Sequence, residues 1–211
     1  MVSASSPQTN GLSFITTITA QDAANQSPMG PLALVHAIAQ ATPAGATIVE
    51  ETISSSAGVR HFFKCEDSKS FFGIRGGGIG WGLPAALGVK LALPKRPVIA
   101  MIGDGSAMYT CQALWTAAHE SLAVVYVIFN NASYRILKQR TLALKGFSAE
   151  DDKYVGMDID KPLVNYVELA RSLGVPGQRV EKATEVGPAI GRALASGGPY
   201  LIDVRIDPHF K

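Results

Sequence analysis

The sequence contains little cysteine, almost no excess of charge of either sign, and no long hydrophobic run. Its two cysteines, Cys65 and Cys111, lie far apart and form no CxxC pair, so a disulfide framework is not indicated. Nineteen basic residues stand against seventeen acidic ones, and the net charge of +2 gives no electrostatic footprint for nucleic acid. The longest apolar run, residues 122–129, is far too short to span a membrane.

Basic residues are absent from the first part of the chain, where Arg60 is the first one. A secretory signal with a positively charged start is therefore not indicated, and we expect a cytoplasmic protein with reduced thiols. The densest basic stretch comprises Arg135, Lys138, Arg140 and Lys145. No aromatic ladder accompanies it, so we interpret it as a solvated helix face rather than as a polyanion site.

The composition indicates a globular domain with a sizeable core, because 47% of the residues are hydrophobic and 17% are charged. Residues 1–27 are rich in Ser, Thr, Gln and Asn and show little periodicity, which predicts a flexible tail or linker. We expect the remaining residues, 28–211, to form one domain.

Strands and helices alternate along this domain. Residues 98–102 and 122–129 are continuous apolar runs, which are typical of strands covered on both faces. Further strands are predicted at 47–50 and 200–206, with short extended segments at 61–66 and 70–74, a polar loop at 147–162 and a turn at 174–177. Helices are predicted at 31–41, at 81–93 with Pro84 in the first turn, and at 107–119, 134–144, 163–173 and 183–195. This alternation favours an α/β fold with a doubly wound, mostly parallel sheet and helices on both faces, whose strand order stays open.

The strand at 98–102 runs into Gly103-Asp104-Gly105-Ser106 and then into a predicted helix. Ligands of parallel sheets gather at the carboxyl ends of strands, and the backbone of Gly105 can approach a phosphate closely. We expect the backbone N–H groups near Ser106 to bind an anion at the helix start. A carboxylate beside a phosphate repels it unless a cation lies between them, so Asp104 implies a divalent metal such as Mg²⁺.

A second polar cluster, Asn130 to Tyr134, follows the next apolar run. The interval from Asp104 to Asn131 accommodates one helix and one strand, so both side chains can emerge at the same edge of neighbouring strands. The amide oxygen of Asn131 and a nearby backbone carbonyl could then complete the protein's share of an octahedral magnesium site.

The sequence Gly103-Asp104-Gly105, followed after 24 residues by Asn130-Asn131, resembles the thiamine diphosphate (ThDP) motif of the ThDP-dependent decarboxylases and synthases. Residues 76–86 are similar to the segment before this motif in benzoylformate decarboxylases and acetolactate synthases. Residues 106–118 are most similar to the benzoylformate decarboxylase branch. The resemblance covers roughly residues 28–207, which corresponds to the C-terminal domain of those enzymes.

The resemblance implies roles for individual residues. Asp104 and Asn131 match the metal-ligating side chains, and Ser133 matches the residue that offers its backbone carbonyl. Residues matching positions around the diphosphate are Ser54, Gly105, Ser106 and Tyr134. Gly77 matches the residue whose carbonyl faces the aminopyrimidine, and Ile79 matches the bulky apolar residue that supports the bent, V-shaped cofactor.

Family members hold ThDP between two domains, and the second domain supplies a glutamate that activates the pyrimidine ring. Nothing in the sequence resembles that pyrimidine-binding domain, so the catalytic glutamate is expected on a partner, either another domain of the same enzyme or a second subunit. The resemblance implies a 2-oxo acid decarboxylase that forms a homo-oligomer when complete and is inactive as this chain alone. Two alternatives stay open: an acetolactate synthase-like carboligase, or a cofactor-binding or assembly module without activity of its own.

Other chemical signals are weak. The glycine run at 76–78 does not fit the GxGxxG spacing of NAD or FAD sites, because the sixth position falls on Trp81 or Leu83. The four histidines are isolated and indicate no metal site. Glu50 and Glu51 could contact a ligand or make structural hydrogen bonds.

Overall fold

The computed structural model describes residues 27–56 and 58–209. The tail predicted at 1–27 lies outside the described residues, apart from Ser27. The helices are α1 (Pro31–Ala41), α2 (Val59–Phe62), α3 (Gly82–Ala92), α4 (Asp104–Ala107), α5 (Ala113–His119), α6 (Arg135–Leu144), α7 (Phe147–Glu150), α8 (Tyr166–Ser172) and α9 (Ala183–Ala195). The strands are β1 (Thr47–Glu51), β2 (Phe71–Gly73), β3 (Val98–Gly103), β4 (Val124–Asn130), β5 (Gly177–Val180) and β6 (Tyr200–Arg205).

The six strands form one parallel sheet in the order β2-β1-β3-β4-β6-β5. Strands β1, β3 and β4 lie inside the sheet and are buried along almost their whole length. Successive side chains of a strand point to opposite faces, so a strand covered on both faces must be apolar throughout. The predicted doubly wound α/β fold is confirmed.

Two apolar layers flank the sheet. Helices α1 and α9 pack on one face against alternate strand residues such as Ile99, Met101 and Val127. Helices α3, α5 and α8 pack on the other face against the intervening residues, such as Ala100, Ile102 and Tyr126. No helix of the described residues is long and apolar enough to cross a membrane.

Three sequence predictions of local structure were wrong, and one strand was not predicted. The predicted helix at 107–119 is interrupted, because α4 ends at Ala107 and α5 begins at Ala113. Part of the extended segment predicted at 61–66 belongs to helix α2, and the polar loop at 147–162 contains α7. The chain turns after α8 as predicted, but the edge strand β5, which begins at Gly177 and pairs with β6, was not predicted.

Candidate cofactor site

The carboxyl ends of three neighbouring strands meet at one edge of the sheet. From β1 the chain continues to β2 on one side, whereas from β3 it continues to β4 on the other. This reversal opens a crevice at the strand ends, where ligands bind in open α/β sheets. The predicted residues that line this cleft are Ser54, Ile79, Asp104, Gly105, Ser106, Asn131, Ser133 and Tyr134. Gly77 is exposed and lies outside its lining.

The side chain of Asp104 is almost completely buried, with 2% of the residue exposed. Its Oδ1 accepts a hydrogen bond from the backbone N–H of Gly105 at 2.9 Å, whereas its Oδ2 is buried without a partner among the described residues. Desolvation raises the pKa of Asp104 to about 6, although the backbone N–H groups of Gly105, Ala132 and Ser133 act in the opposite direction. A bound cation would satisfy the unpartnered oxygen and favour the ionised form.

The loop after β4 places Asn131 beside this carboxylate. Its Oδ1 accepts hydrogen bonds from the backbone N–H of Ser133 at 3.0 Å and from the Ser133 hydroxyl at 3.1 Å. The hydroxyl can rotate away, which would leave a lone pair of the amide oxygen for a cation. The loop turns at Ala132, whose φ of 56° is unusual for a residue other than glycine.

A neighbouring segment holds this loop in place. The backbone N–H of Tyr134 donates to the Met157 carbonyl at 2.8 Å, and the N–H of Ile159 donates to the Ala132 carbonyl at 2.7 Å. These two bonds fix the backbone on either side of Ser133. The position of the candidate metal ligands therefore depends on a segment far away in the sequence.

Gly105 allows the two halves of the site to come together. A Cβ at this position would lie 2.6 Å from two ring atoms of Tyr134, which is closer than atoms can approach. Helix α4 spans only Asp104–Ala107. Ser106 therefore lies within a single helical turn, which is too short to form a large helix dipole. An anion near Ser106 would interact mainly with the nearby backbone N–H groups.

The two glutamates at the end of β1 make structural hydrogen bonds. Glu51 is fully buried, and its carboxylate accepts from the backbone N–H groups of Gly80, Trp81 and Gly82 at 2.7, 3.1 and 2.5 Å. This carboxylate satisfies the otherwise unpaired N–H groups at the start of α3. Glu50 accepts from both the backbone N–H and the hydroxyl of Thr52. Of the two interpretations left open by the sequence, these contacts support the structural one.

The interpretation of the basic stretch as a solvated face was wrong for Arg135. This residue is 5% exposed and lines the cleft, whereas Arg140 and Lys145 are exposed on the same helix region. Lys138 forms an ion pair with Asp158. The position of Arg135 directly after the motif that ends in Tyr134 was the signal that could have identified it.

Among residues 27–56 and 58–209, no three His, Cys, Asp or Glu side chains form a cluster that could hold a metal ion. The predicted site needs no such cluster, because it combines one carboxylate with an amide oxygen and a backbone carbonyl. The donors in this cleft are all oxygen atoms, which suits Mg²⁺. The residues present therefore fit the cofactor that the sequence motif implies.

The fold and the cleft define the cofactor domain of a ThDP-dependent enzyme. Residues 53–204 match the family described as thiamine pyrophosphate enzyme, C-terminal TPP binding domain. The chain belongs to this family.

The individual relatives of the chain include decarboxylases and synthases. The chain is 33% identical over 177 residues to benzoylformate decarboxylase of Pseudomonas aeruginosa, covering 84% of the chain and 32% of that protein. It is 36% identical over 137 residues to the acetolactate synthase large subunit IlvG of Mycobacterium tuberculosis, covering 65% of the chain and 23% of that protein.

The solved structure of a ThDP-dependent 4-hydroxybenzoylformate decarboxylase from Rhodococcus jostii RHA1 superposes with a TM-score of 0.80 at 34% identity. The match covers 88% of this chain and 34% of that one. The chain thus spans about a third of the length of the relatives that it matches.

Proposed function

We propose that this chain binds ThDP together with Mg²⁺ and serves as the cofactor domain of a 2-oxo acid decarboxylase of the benzoylformate decarboxylase type. The observation that carries the proposal is the buried carboxylate of Asp104, which lies beside the Asn131 loop and whose Oδ2 has no hydrogen-bond partner among the described residues. Such a group is costly to bury unless a cation binds it. The relatives named as benzoylformate decarboxylases support the choice of reaction.

Each residue of the cleft has a role in this proposal. Asp104, Asn131 and the backbone carbonyl of Ser133 would hold the metal. The residues around the diphosphate would be Ser54, Gly105, Ser106 and Tyr134. ThDP, when bound, supplies the electron sink that decarboxylation of a 2-oxo acid requires.

The residues on the pyrimidine side would control cofactor shape and solvent access. Ile79 lines the cleft as a partly buried apolar side chain, where it would support the bent cofactor. Gly77 would offer its backbone carbonyl to the aminopyrimidine. We infer that a pyrimidine-binding domain covers the side of the cleft near Gly77 and Ile79, because the chain spans only about a third of the length of its relatives. The complete enzyme would be a cytoplasmic homo-oligomer.

Carboligation is the second candidate reaction. The acetolactate synthase relatives, which are up to 36% identical, favour it. Both reactions use the same cofactor site, so the products of the complete enzyme must distinguish them. From a single 2-oxo acid, decarboxylation gives an aldehyde, whereas carboligation gives a 2-hydroxy-3-oxo acid.

The metal assignment is tested by Asp104→Ala, with Asp151→Ala as a control because Asp151 is exposed and is not among the residues that line the cleft. Calorimetric titration with ThDP should show magnesium-dependent binding to the wild-type chain and to the control. The Asp104 variant should lose at least about tenfold in affinity, since it lacks the one charged metal ligand. Unchanged binding by a folded Asp104 variant would refute the assignment.

A further inference from the structure

Arg135 occupies an unusual position for an arginine. It is 5% exposed, although it begins α6 at the edge of the sheet. Its guanidinium crosses to the loop after β1, where Nε donates to the Ser54 hydroxyl at 3.1 Å and Nη2 donates to the Ser55 hydroxyl at 2.6 Å. Nη2 also donates to the Ser54 carbonyl at 3.3 Å, and Nη1 donates to the Asp207 carbonyl at 3.1 Å.

All four of these acceptors are neutral. Among the residues that the structure describes, no carboxylate lies within the 4.0 Å of an ion pair with Arg135. Burial lowers the pKa of Arg135, and the more distant charges of Asp104 and Asp207 only oppose this effect. A buried cation without an anionic partner is costly, and it is retained where an anion binds.

We propose that Arg135 supplies a second positive charge, besides the metal, for the terminal phosphate of a diphosphate bound in this cleft. The inference rests on the proposed function, since it takes ThDP as the ligand. A guanidinium suits phosphate because its planar N–H donors match the phosphate oxygens. Four of the five N–H groups of Arg135 donate to acceptors in the part of the chain that the structure describes, so one N–H on Nη1 is left there for a phosphate oxygen.

Arg135 also prepares the Ser54 hydroxyl for the same ligand. Because the Ser54 oxygen accepts from Nε, its own hydrogen points away from the guanidinium and can be donated to an anion. The bond from Nη2 to the Ser54 carbonyl holds the backbone of the loop. Arg135 thus combines a charge with the positioning of a second donor, and both act on the phosphate end of the cleft.

The test measures binding of magnesium diphosphate, which lacks the thiamine rings, to the 211-residue chain. The variants are Arg135→Met, Arg135→Lys and, as a matched control, Arg140→Met, because Arg140 is exposed on the same helix. Isothermal calorimetry should show a loss of at least about tenfold for Arg135→Met and less than about twofold for the control. Arg135→Lys, which keeps the charge, should recover at least about threefold relative to the methionine variant.

The possible outcomes distinguish a role of the Arg135 charge in binding from a role of its side chain in packing. Unchanged affinity of a folded Arg135→Met chain overturns the inference, and so does an equal loss in the lysine and methionine variants, because only loop order would then matter. If the methionine variant does not fold, the side-chain Nε–H resonance of Arg135 in the wild-type chain serves instead. It should shift and exchange more slowly with water when magnesium diphosphate is added, and an unchanged resonance overturns the inference.

The same measurements test the proposed function separately from the role of Arg135. A wild-type chain that binds neither ThDP nor magnesium diphosphate would contradict the cofactor assignment itself. A wild-type chain that binds both, with Arg135→Met binding equally well, would contradict only the role of Arg135.

Discussion

Asp104 carries a free-energy cost as long as no cation is bound to it. Its carboxylate is buried, and desolvation raises its pKa to about 6 from an ordinary value of 3.8. Because the folded-state pKa lies above the unfolded one, the stability contributed by the protonated form is fully present below pH 3.8 and is lost as the pH rises through about 6. The residue that would bind the metal is therefore a source of instability in the metal-free chain at neutral pH.

We accordingly expect Asp104→Asn to stabilise the metal-free chain near pH 7.5 by about 1–3 kcal/mol, since a displacement of two pKa units corresponds to about 3 kcal/mol at most. Urea denaturation between pH 4 and 8 measures the difference. The wild-type chain should lose stability relative to the variant across the window from about 4 to 6, and saturating Mg²⁺ with ThDP should reverse the order. Parallel pH profiles for the two chains would contradict this account.

Glu51 and Glu50 differ in how many of their oxygens are used. Both carboxylate oxygens of Glu51 accept backbone hydrogen bonds, whereas the two recorded bonds to Glu50 reach only its Oε1. A glutamine has one acceptor oxygen, so at position 51 its NH₂ group would oppose an N–H donor. At position 50 the single acceptor that is used can be kept.

Glu51→Gln should therefore destabilise the chain by about 2 kcal/mol or more, because a buried N–H would lose its acceptor. Glu50→Gln is the matched control and should cost less than about 1 kcal/mol. Denaturant midpoints of the two variants give the comparison. Equal losses would show that the number of acceptor oxygens does not explain the role of Glu51.

At the scale of elements, the start of α3 is packed against β1 and β3 without space for a side chain. A Cβ at Gly82 would lie 2.4 Å from Cδ1 of Ile102 and 2.8 Å from Oε2 of Glu51. A Cβ at Gly88, on the same helix, would have no other described atom within 4 Å apart from its chain neighbours and the backbone of its own helix. Substitution of glycine by alanine should therefore have opposite effects on stability at the two positions. One glycine permits close packing, and the other only adds backbone freedom in the unfolded chain.

Gly82→Ala should destabilise the chain by about 1–3 kcal/mol through overpacking. Gly88→Ala should stabilise it by about 0.5–1 kcal/mol, because alanine favours the helix and Gly88 is exposed. Thermal denaturation of both variants tests the contrast. A neutral Gly82 variant would mean that Ile102 and Glu51 can shift without cost.

For the whole molecule, the residues proposed to bind the metal and the diphosphate lie together, whereas the glycines next to the proposed pyrimidine position are exposed. Gly77 and Gly78 are exposed, beside a cavity of about 740 Å³ that Trp81 also lines. Water in such a site weakens the electrostatic interactions on which catalysis depends. A partner domain would both exclude water and supply the expected glutamate.

We expect the chain alone to release no CO₂ from 2-oxo acids above background, even with saturating ThDP and Mg²⁺. Adding a pyrimidine-binding domain from a relative should raise both cofactor affinity and CO₂ release. Gas evolution from benzoylformate and pyruvate, with and without that domain, measures the effect. Robust turnover by the chain alone would place the activating carboxylate within these 211 residues.

The sequence correctly predicted those helices and strands that are determined by residues close together in the chain. Helices α1 and α9 match their predicted ranges, because their apolar residues recur with helical spacing and both end shortly before Pro or Gly, at Pro43 and Gly197. The buried strands β3 and β4 were recognised because a strand covered on both faces must be continuously apolar. The two halves of the motif, Gly103–Gly105 and Asn130–Asn131, begin at the last residues of these strands and line one cleft, while their roles in cofactor binding stay a prediction.

Contacts between distant segments decided the rest. The break between α4 and α5 coincides with a tertiary contact, in which the Thr110 hydroxyl donates to the Gly80 carbonyl at 2.8 Å. Strand β5 has no strong apolar pattern and forms through its pairing with β6. Strand order and the burial of Arg135 depend in the same way on which elements meet. Local propensity determined where most helices and strands form, whereas only packing across the sheet determined which charged side chains lie buried in the cleft.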